Sequence, residues 1–99
     1  MAESAFVFST LEPVRYPPTA TFIDVTAWSD VEIQVINLAG SCTVQRSFDN
    51  INFVNYPVIN PLGAFVETIT EDGIYLVEGS CFLRIVGAPE ATFYYRGGQ

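Results

Sequence analysis

The chain has 99 residues, which is enough for one domain with a single modest core. Its net charge of −7 disfavours binding to nucleic acid and to anionic membranes, and no run of about 18 apolar residues could span a bilayer. The absence of histidine removes the commonest general base and a favoured zinc ligand.

The low share of charged residues is the most unusual feature of the composition. Charged residues make up 15% of the chain and hydrophobic residues 49%, whereas ordinary soluble domains carry about 25% charged residues. Because a small domain has much surface to cover, we expect some apolar or neutral polar surface to face a partner. We therefore predict a homo-oligomer or a component of an assembly. A plain monomer rich in Ser, Thr and Asn is the alternative.

The amino terminus and the two cysteines favour a reducing compartment. The first four residues are acidic and are not followed by a long apolar stretch, so they lack the pattern of a secretory signal peptide. We expect the protein to be made in a cytosol with reduced thiols. Cys42 and Cys81 fall at inward strand positions, which favours two buried thiols that behave as small hydrophobic side chains. A disulfide between them is the alternative.

Short strands separated by turns account for the first half of the chain. Apolar residues at every second position predict strands at 4–10, 20–27, 31–37 and 41–48. The intervening segment 11–19 holds three of the six prolines, which favour extended backbone and donate no ladder hydrogen bonds. We interpret it as an arm or long loop lying over the domain, or as a crossover between sheets. Its candidate partner contacts are Pro13, Val14, Arg15, Tyr16 and Pro17.

The alternation within two of these strands predicts which side chains enter the core. In 31–37 the inward residues are Val31, Ile33 and Val35, and polar residues separate them. In 20–27 the uniformly apolar face should turn inward, and it consists of Ile23, Val25 and Ala27.

The strand 41–48 runs into a tight polar turn and organises the middle of the chain. Its inward face holds Cys42, Val44 and Phe48, and its outward face holds Thr43, Gln45 and Ser47. Arg46 falls at an inward position, so it lies at the end of the sheet, pairs with a carboxylate or marks a bulge. The Ser-x-Asp-Asn pattern at 47–50 predicts a turn, because Asp and Asn bond their own backbone and tolerate left-handed conformations.

A loop is predicted at 54–63, because Pro57 and Pro61 are incompatible with a central strand. This loop is rich in apolar residues, which makes it the second candidate contact segment. Its candidate partner contacts are Tyr56, Val58, Ile59 and Leu62.

The remaining sequence completes an all-β pattern. Further strands are predicted at 64–70, 74–78, 81–86 and 91–96, and Glu71-Asp72-Gly73 is typical of a hairpin tip. About eight short strands at spacings of roughly 8–12 residues predict one antiparallel β-sandwich over residues 1–99, jelly-roll-like or Ig-like. The strand edges carry no lysine, which commonly protects an exposed edge, and this again favours cover by a neighbouring subunit.

No arrangement of residues in the sequence is typical of catalysis or of cofactor binding. Neither cysteine has a histidine partner, and phosphate-binding glycine loops and nucleophile elbows are absent. Asp49, Asn50 and Asn52 offer oxygen atoms for calcium, but the graded spacing of a calcium loop is missing. We therefore predict no enzyme activity, no cofactor and no metal.

The aromatic residues, 14% of the chain, support a rival hypothesis of a carbohydrate- or receptor-binding module. The candidate sugar platforms are Trp28, Tyr56, Tyr94 and Tyr95. A single tryptophan near a strand end, such as Trp28, is more typical of a lid on the core. Tyr94 and Tyr95 are adjacent in a strand, so at most one of them joins a given platform.

The segment 43–53, Thr-Val-Gln-Arg-Ser-Phe-Asp-Asn-Ile-Asn-Phe, resembles the V-x-x-S-x-D-G-x-N-F/W segment of small all-β virion proteins of tailed bacteriophages. In those proteins G-x-Y and then (L/Y)-R-(I/V)…G commonly follow, before a last strand. This chain has Gly-Ile-Tyr at 73–75 and Leu-Arg-Ile-Val-Gly at 83–87. Asn50 stands where the phage pattern has glycine, and asparagine is a good substitute in a left-handed turn.

The same segment is similar to the Asp-box turn of sialidase-type propellers, Ser-x-Asp-x-Gly-x-Thr-Trp. It departs from that box at Ile51, which replaces glycine, and it has Phe53 and no tryptophan at its end. In both families the segment is a structural turn, so the resemblance carries over no binding residue.

The phage resemblance spans about residues 31–96 and implies a structural protein of a phage particle. A capsid decoration or cement protein is the first expectation, and a neck or tail component is the second. The implied partners are the major capsid protein or another virion protein, together with further copies of the chain, with a trimer favoured. Such a protein is made in the host cytoplasm and resides in the virion.

Overall fold

The computed structural model describes residues 14–15, 22–87 and 91–98. The strand predicted at 4–10 lies outside these residues. Within them the chain forms ten β-strands and no helix. The strands are β1 (Val14–Arg15), β2 (Ile23–Asp24), β3 (Asp30–Ile36), β4 (Cys42–Ser47), β5 (Val54–Asn55), β6 (Val58–Ile59), β7 (Phe65–Val66), β8 (Gly73–Glu78), β9 (Phe82–Gly87) and β10 (Thr92–Gly98).

The strands form two antiparallel sheets. The larger sheet has the order β1-β10-β3-β8-β6-β7, and the smaller sheet has the order β2-β9-β4-β5. The pairings are nested: β1 pairs with β10, β2 with β9, β3 with β8 and β4 with β5. This nesting is the winding of a long hairpin into a jelly roll, and the short β6–β7 hairpin extends the larger sheet beyond β8. The predicted β-sandwich is therefore confirmed, in its jelly-roll form.

The core lies between the two sheets and is built from alternate strand positions. In β3, Val31, Ile33 and Val35 are each at most 1% exposed, as predicted, whereas Gln34 faces outward. The most deeply buried side chains are Ile33, Ile69, Leu83, Val25, Val31, Val35, Val44, Val58, Cys42 and Cys81. Full burial stabilises an aliphatic side chain of this size by about 1.5–3 kcal/mol relative to exposure, so these positions dominate the stability of the fold.

Trp28 closes one end of the core, as predicted for a lid. Its ring is half-buried against the core and fills the space where a Cβ atom at Gly97 would lie. Its backbone carbonyl accepts the N–H of Ser80 at 2.7 Å. The ring therefore has no free face for a ligand on the side that packs against β10.

Two predicted strands are shorter in the structure. Of the described part of 20–27 only β2 is a strand, because the chain turns soon after it, and Ala27 is exposed although the pattern predicts it to point inward. Of 64–70 only β7 is a strand, and Ile69 adds a single bridge to Cys42.

The predicted loop 54–63 contains two short strands, so its prediction as a loop is partly wrong. β5 and β6 flank Pro57, and β6 lies inside the larger sheet between β8 and β7. Strands of two residues fit on either side of a proline because neither requires its missing N–H. Val58 is 1% exposed. Its prediction as a partner contact is therefore wrong, because it is a core residue.

The proline-rich stretch 11–19 is tied down at β1, which is an edge strand of the larger sheet. Val14 pairs with Tyr95, and Arg15 pairs with Tyr94. The next strand, β2, belongs to the smaller sheet, so the chain crosses between sheets here, as the crossover interpretation expects. The remaining predicted contacts of this stretch, Pro13, Tyr16 and Pro17, lie outside the described residues.

Candidate contact site at the tip of the β4–β5 hairpin

Arg46 joins the two sheets at the end of β4. It is paired with Leu83 of β9 and so shares the inward face, as its sequence position predicts. Its Nη1 donates to Glu78 Oε1 at 3.1 Å, and its Nη2 donates to the carbonyl oxygen of Gly79 at 3.0 Å. Glu78 ends β8 of the larger sheet, whereas β4 belongs to the smaller one. The end-of-sheet position and the carboxylate partner are thus both correct, and the regular register with β9 shows no bulge.

Two aromatic rings flank the Arg46 guanidinium. Its Cζ atom lies 5.1 Å from the ring centroid of Phe48 and 4.4 Å from that of Tyr56. The Tyr56 hydroxyl donates to Glu78 Oε1 at 2.6 Å, which lowers the pKa of Glu78 and raises the pKa of Tyr56. The buried Nε–H of Arg46 has no hydrogen-bond partner within the described residues. Ring stacking and the two Nη contacts therefore hold the side chain.

Ser47 and Asp49 close the turn that follows β4. Ser47 Oγ donates to Asp49 Oδ1 at 2.7 Å and accepts the N–H of Asn50 at 2.9 Å. The N–H groups of Asn52 and Ile51 donate to Asp49 Oδ1 at 2.8 and 2.9 Å, and these hydrogen bonds hold the pKa of Asp49 well below its usual range. Asn50 has a φ of 60°, the left-handed conformation that the sequence predicts. The turn is thus fixed by its own side chains.

The same contacts occupy both carboxylate oxygens of Asp49. Its Oδ2 accepts a hydrogen bond from Asn52 Nδ2 at 2.7 Å, so two of the three oxygen-bearing side chains considered for calcium bond each other in the turn. Over residues 14–15, 22–87 and 91–98, no group of three or more His, Cys, Asp or Glu could hold a metal ion.

Three apolar side chains project from this turn into solvent. The exposed fraction is 77% for Phe48, 79% for Ile51 and 59% for Val54. We call these three residues the tip surface. Beside the tip surface lies a pocket of about 400 Å³, and its lining is Arg46, Ser47, Phe48, Asp49, Asn52, Val54 and Tyr56. An apolar surface next to a stacked arginine and tyrosine has the composition of a protein–protein contact.

The sequence pattern predicts none of the tip residues as contacts. It places Phe48 on the inward face, which is wrong because β4 ends at Ser47 and its alternation ends with it. Ile51 carries the signal that identifies the tip. It is an apolar residue between Asn50 and Asn52, at the centre of a polar turn, and so it has no core to face.

The contacts predicted in the two segments do not form one surface. Tyr56 is half-buried in the Arg46 stack, and Ile59 is half-buried in β6. Leu62 is 92% exposed in the turn between β6 and β7, at one edge of the larger sheet. Val14 and Arg15 form β1, at the opposite edge of that sheet. Of the four contacts predicted in the segment 54–63, only Leu62 is exposed.

Cys42 and Cys81 are free and buried, as predicted. Burial raises the pKa of the Cys42 thiol to about 11. Because that thiol stays protonated at neutral pH, it is a poor nucleophile and metal ligand. Both side chains serve as small parts of the core.

No family model, curated protein or solved structure matches this chain. None of the described segments contains a helix long and apolar enough to cross a membrane. The function of the chain is therefore inferred from the chemistry of the site. That site is an exposed apolar tip, held rigidly by the polar contacts beneath it.

Replacing Arg46 with lysine tests the cross-sheet contact. Lysine keeps the positive charge but lacks the planar fork that reaches Glu78 and the Gly79 carbonyl while stacking on the rings. We expect R46K to lower the free energy of unfolding in urea by about 1–2 kcal/mol. The control is R84K, since Arg84 stacks on Phe53 at 4.2 Å, next to β5, and donates to Gln45 Oε1 of β4, both on the side of the smaller sheet. An R46K loss no larger than that of R84K would contradict the cross-sheet role.

The acid sensitivity of the turn follows from Asp49. Its folded pKa lies below the unfolded value of about 4, so its hydrogen bonds stabilise the fold above that pH, and the stabilisation is lost as the pH falls toward the folded pKa. We expect the unfolding free energy of the wild type to fall between about pH 4 and pH 2, and that of D49N to fall less steeply. E67Q, at an exposed carboxylate outside the turn, should keep the wild-type slope. Equal slopes for D49N and the wild type would exclude this role.

Proposed function

We propose that this chain is a structural protein of a tailed-phage virion, and more specifically a capsid decoration or cement protein that acts through protein–protein contacts. The observation that carries the proposal is the tip surface, Phe48, Ile51 and Val54, exposed on a rigid turn. A neck or tail component is the alternative position in the particle.

The rigid backbone of the turn supports a role for the tip surface in binding a partner. Full burial of a Phe, Ile or Val side chain is worth about 1.5–3 kcal/mol, so covering the tip surface supplies a substantial driving force. The Asp49 hydrogen bonds and the stacked Arg46 already order the backbone and the ring of Phe48. A partner therefore does not have to order this segment, and less of the binding free energy is lost on association.

Two further observations support a passive role in a particle. Jelly rolls are a common architecture of viral capsid proteins, although the fold also occurs in lectins and enzymes and does not decide function alone. The resemblance of 43–53 to phage virion proteins falls on the turn that presents the tip surface. The net charge of −7 suits an outer position, away from packaged DNA.

The edges of the sandwich support association between copies. Phe65 is 71% exposed in β7, which has no neighbour on one side among the described strands, and Leu62 is 92% exposed in the adjoining turn. No lysine protects either edge. We propose that copies cover this edge in a homo-oligomer, with a trimer favoured, while the tip surface faces the shell.

Particle binding tests the tip surface. Particles purified from cells that carry the gene should contain this chain, detected by mass spectrometry. Particles lacking it should bind the added wild-type chain in co-sedimentation. We expect the double variant F48S/I51S to bind at least about tenfold more weakly, since about 1.4 kcal/mol corresponds to tenfold.

The control for that experiment is I74S, which changes an apolar side chain that is 50% exposed on the larger sheet, away from the tip. It should bind as the wild type does. Absence of the chain from purified particles would overturn the virion role. Undiminished binding of F48S/I51S would overturn the role of the tip surface alone.

Light scattering tests the oligomer. The monomer mass is 10.9 kDa, and we expect a solution mass three times as large at high protein concentration. Because copies of charge −7 repel each other, association should strengthen as salt screens the charges. A monomer at every concentration and salt level would contradict the homo-oligomer but not the contact with the shell.

A further inference from the structure

A small pocket lies on the outer face of the larger sheet, far in sequence from the tip. The strand register aligns Tyr94 of β10, Gln34 of β3 and Ile74 of β8 in one row. The adjacent row contains Arg96 and Glu32. Together with Tyr95 these residues line a pocket of about 150 Å³. A cavity of this order admits one six-membered ring.

The polar groups of the pocket are of two kinds. Arg96 Nε donates to Glu32 Oε1 at 2.8 Å, and the two side chains are only 29% and 23% exposed, so this pair forms a fixed wall. The side chains of Gln34 and Tyr94 form no hydrogen bond to any described residue. Among the residues that the structure describes, the Gln34 amide and the Tyr94 hydroxyl thus have no partner, and both side chains line the same small space as Ile74.

These groups match a neutral sugar ring better than other ring-sized ligands. The Tyr94 ring and Ile74 supply an apolar surface for the C–H face of a pyranose, and the Gln34 amide supplies a donor and an acceptor for adjacent hydroxyls. An anionic ligand is disfavoured, because the chain carries −7 and Arg96, which lines this pocket, is already paired with Glu32. A purely apolar ligand would leave the amide and the phenol without partners.

The structure also accounts for the three other aromatic platforms that the sequence offers. Trp28 is a lid on the core, and Tyr56 is held in the Arg46 stack and bonded to Glu78. Tyr95 packs against the core. We propose that the Tyr94–Gln34 pocket binds a single neutral pyranose, such as the terminal residue of a glycan. The proposal does not depend on the virion role, because the pocket and the tip surface lie on different sheets.

Saturation-transfer NMR of the full chain with the methyl glycosides of glucose, galactose, mannose and N-acetylglucosamine tests the proposal. We expect transfer to the ring protons of at least one glycoside, with a dissociation constant in the millimolar range. Y94A should abolish the transfer because it removes the ring, and Q34A should weaken binding at least about tenfold because it removes the amide that bonds the sugar hydroxyls. Y94F keeps the ring and should retain most of the binding.

F48S is the matched control, since it removes an exposed aromatic ring from the tip surface and should leave sugar binding unchanged. Gln34 is exposed, so Q34A is expected to fold and decides the question even if Y94A does not. Absence of transfer from all four glycosides, or transfer that Q34A leaves unchanged, would overturn the sugar site. Neither result bears on particle binding, which depends on the tip surface.

Discussion

The contact of Arg46 with Glu78 is the interaction on which the site depends. It connects the end of β4 in the smaller sheet to the end of β8 in the larger one. The same guanidinium packs between Phe48 and Tyr56. A charged side chain at an inward position is costly unless its donors are used. Here it lies where the two sheets end, so that an exposed carboxylate and a backbone carbonyl accept hydrogen bonds from its two Nη groups. These hydrogen bonds and the ring stacking offset the free-energy cost of that position. They also hold the backbone rigid under an exposed apolar surface.

Local pattern was sufficient to predict the class of fold and most of its core. The alternation in β3 predicts Val31, Ile33 and Val35 correctly because β3 pairs regularly with β10 and β8, so its alternate side chains all point into the core. The left-handed conformation of Asn50 also follows from the sequence. The four residues 47–50 form the turn that requires it, and a hydrogen bond between Ser47 and Asn50 closes that turn. Such features depend on neighbours in the chain, which a sequence displays directly.

Features that depend on distant residues were not predictable. Asp72, which the sequence places at an ordinary hairpin tip, in fact accepts the N–H groups of Asn37 and Leu38 at 2.9 and 2.8 Å and so closes the turn after β3. Val58 looks like an apolar loop residue, and only the insertion of β6 beside β8 buries it. The Tyr94–Gln34 pocket requires the register of three strands from both halves of the chain. A sequence gives no register between strands that are separated by tens of residues.

The nested pairing has a consequence for how the chain folds. Outer pairs such as β1 with β10 join opposite ends of the sequence, and closing such long loops is slow. The innermost pair, β4 with β5, needs only the turn at 48–53, which its own side chains pre-form. The hairpin that carries the contact surface is thus also the most local of the four nested pairs. A substitution at Asp49 that weakens its turn is therefore expected to slow folding as well as to loosen the contact surface.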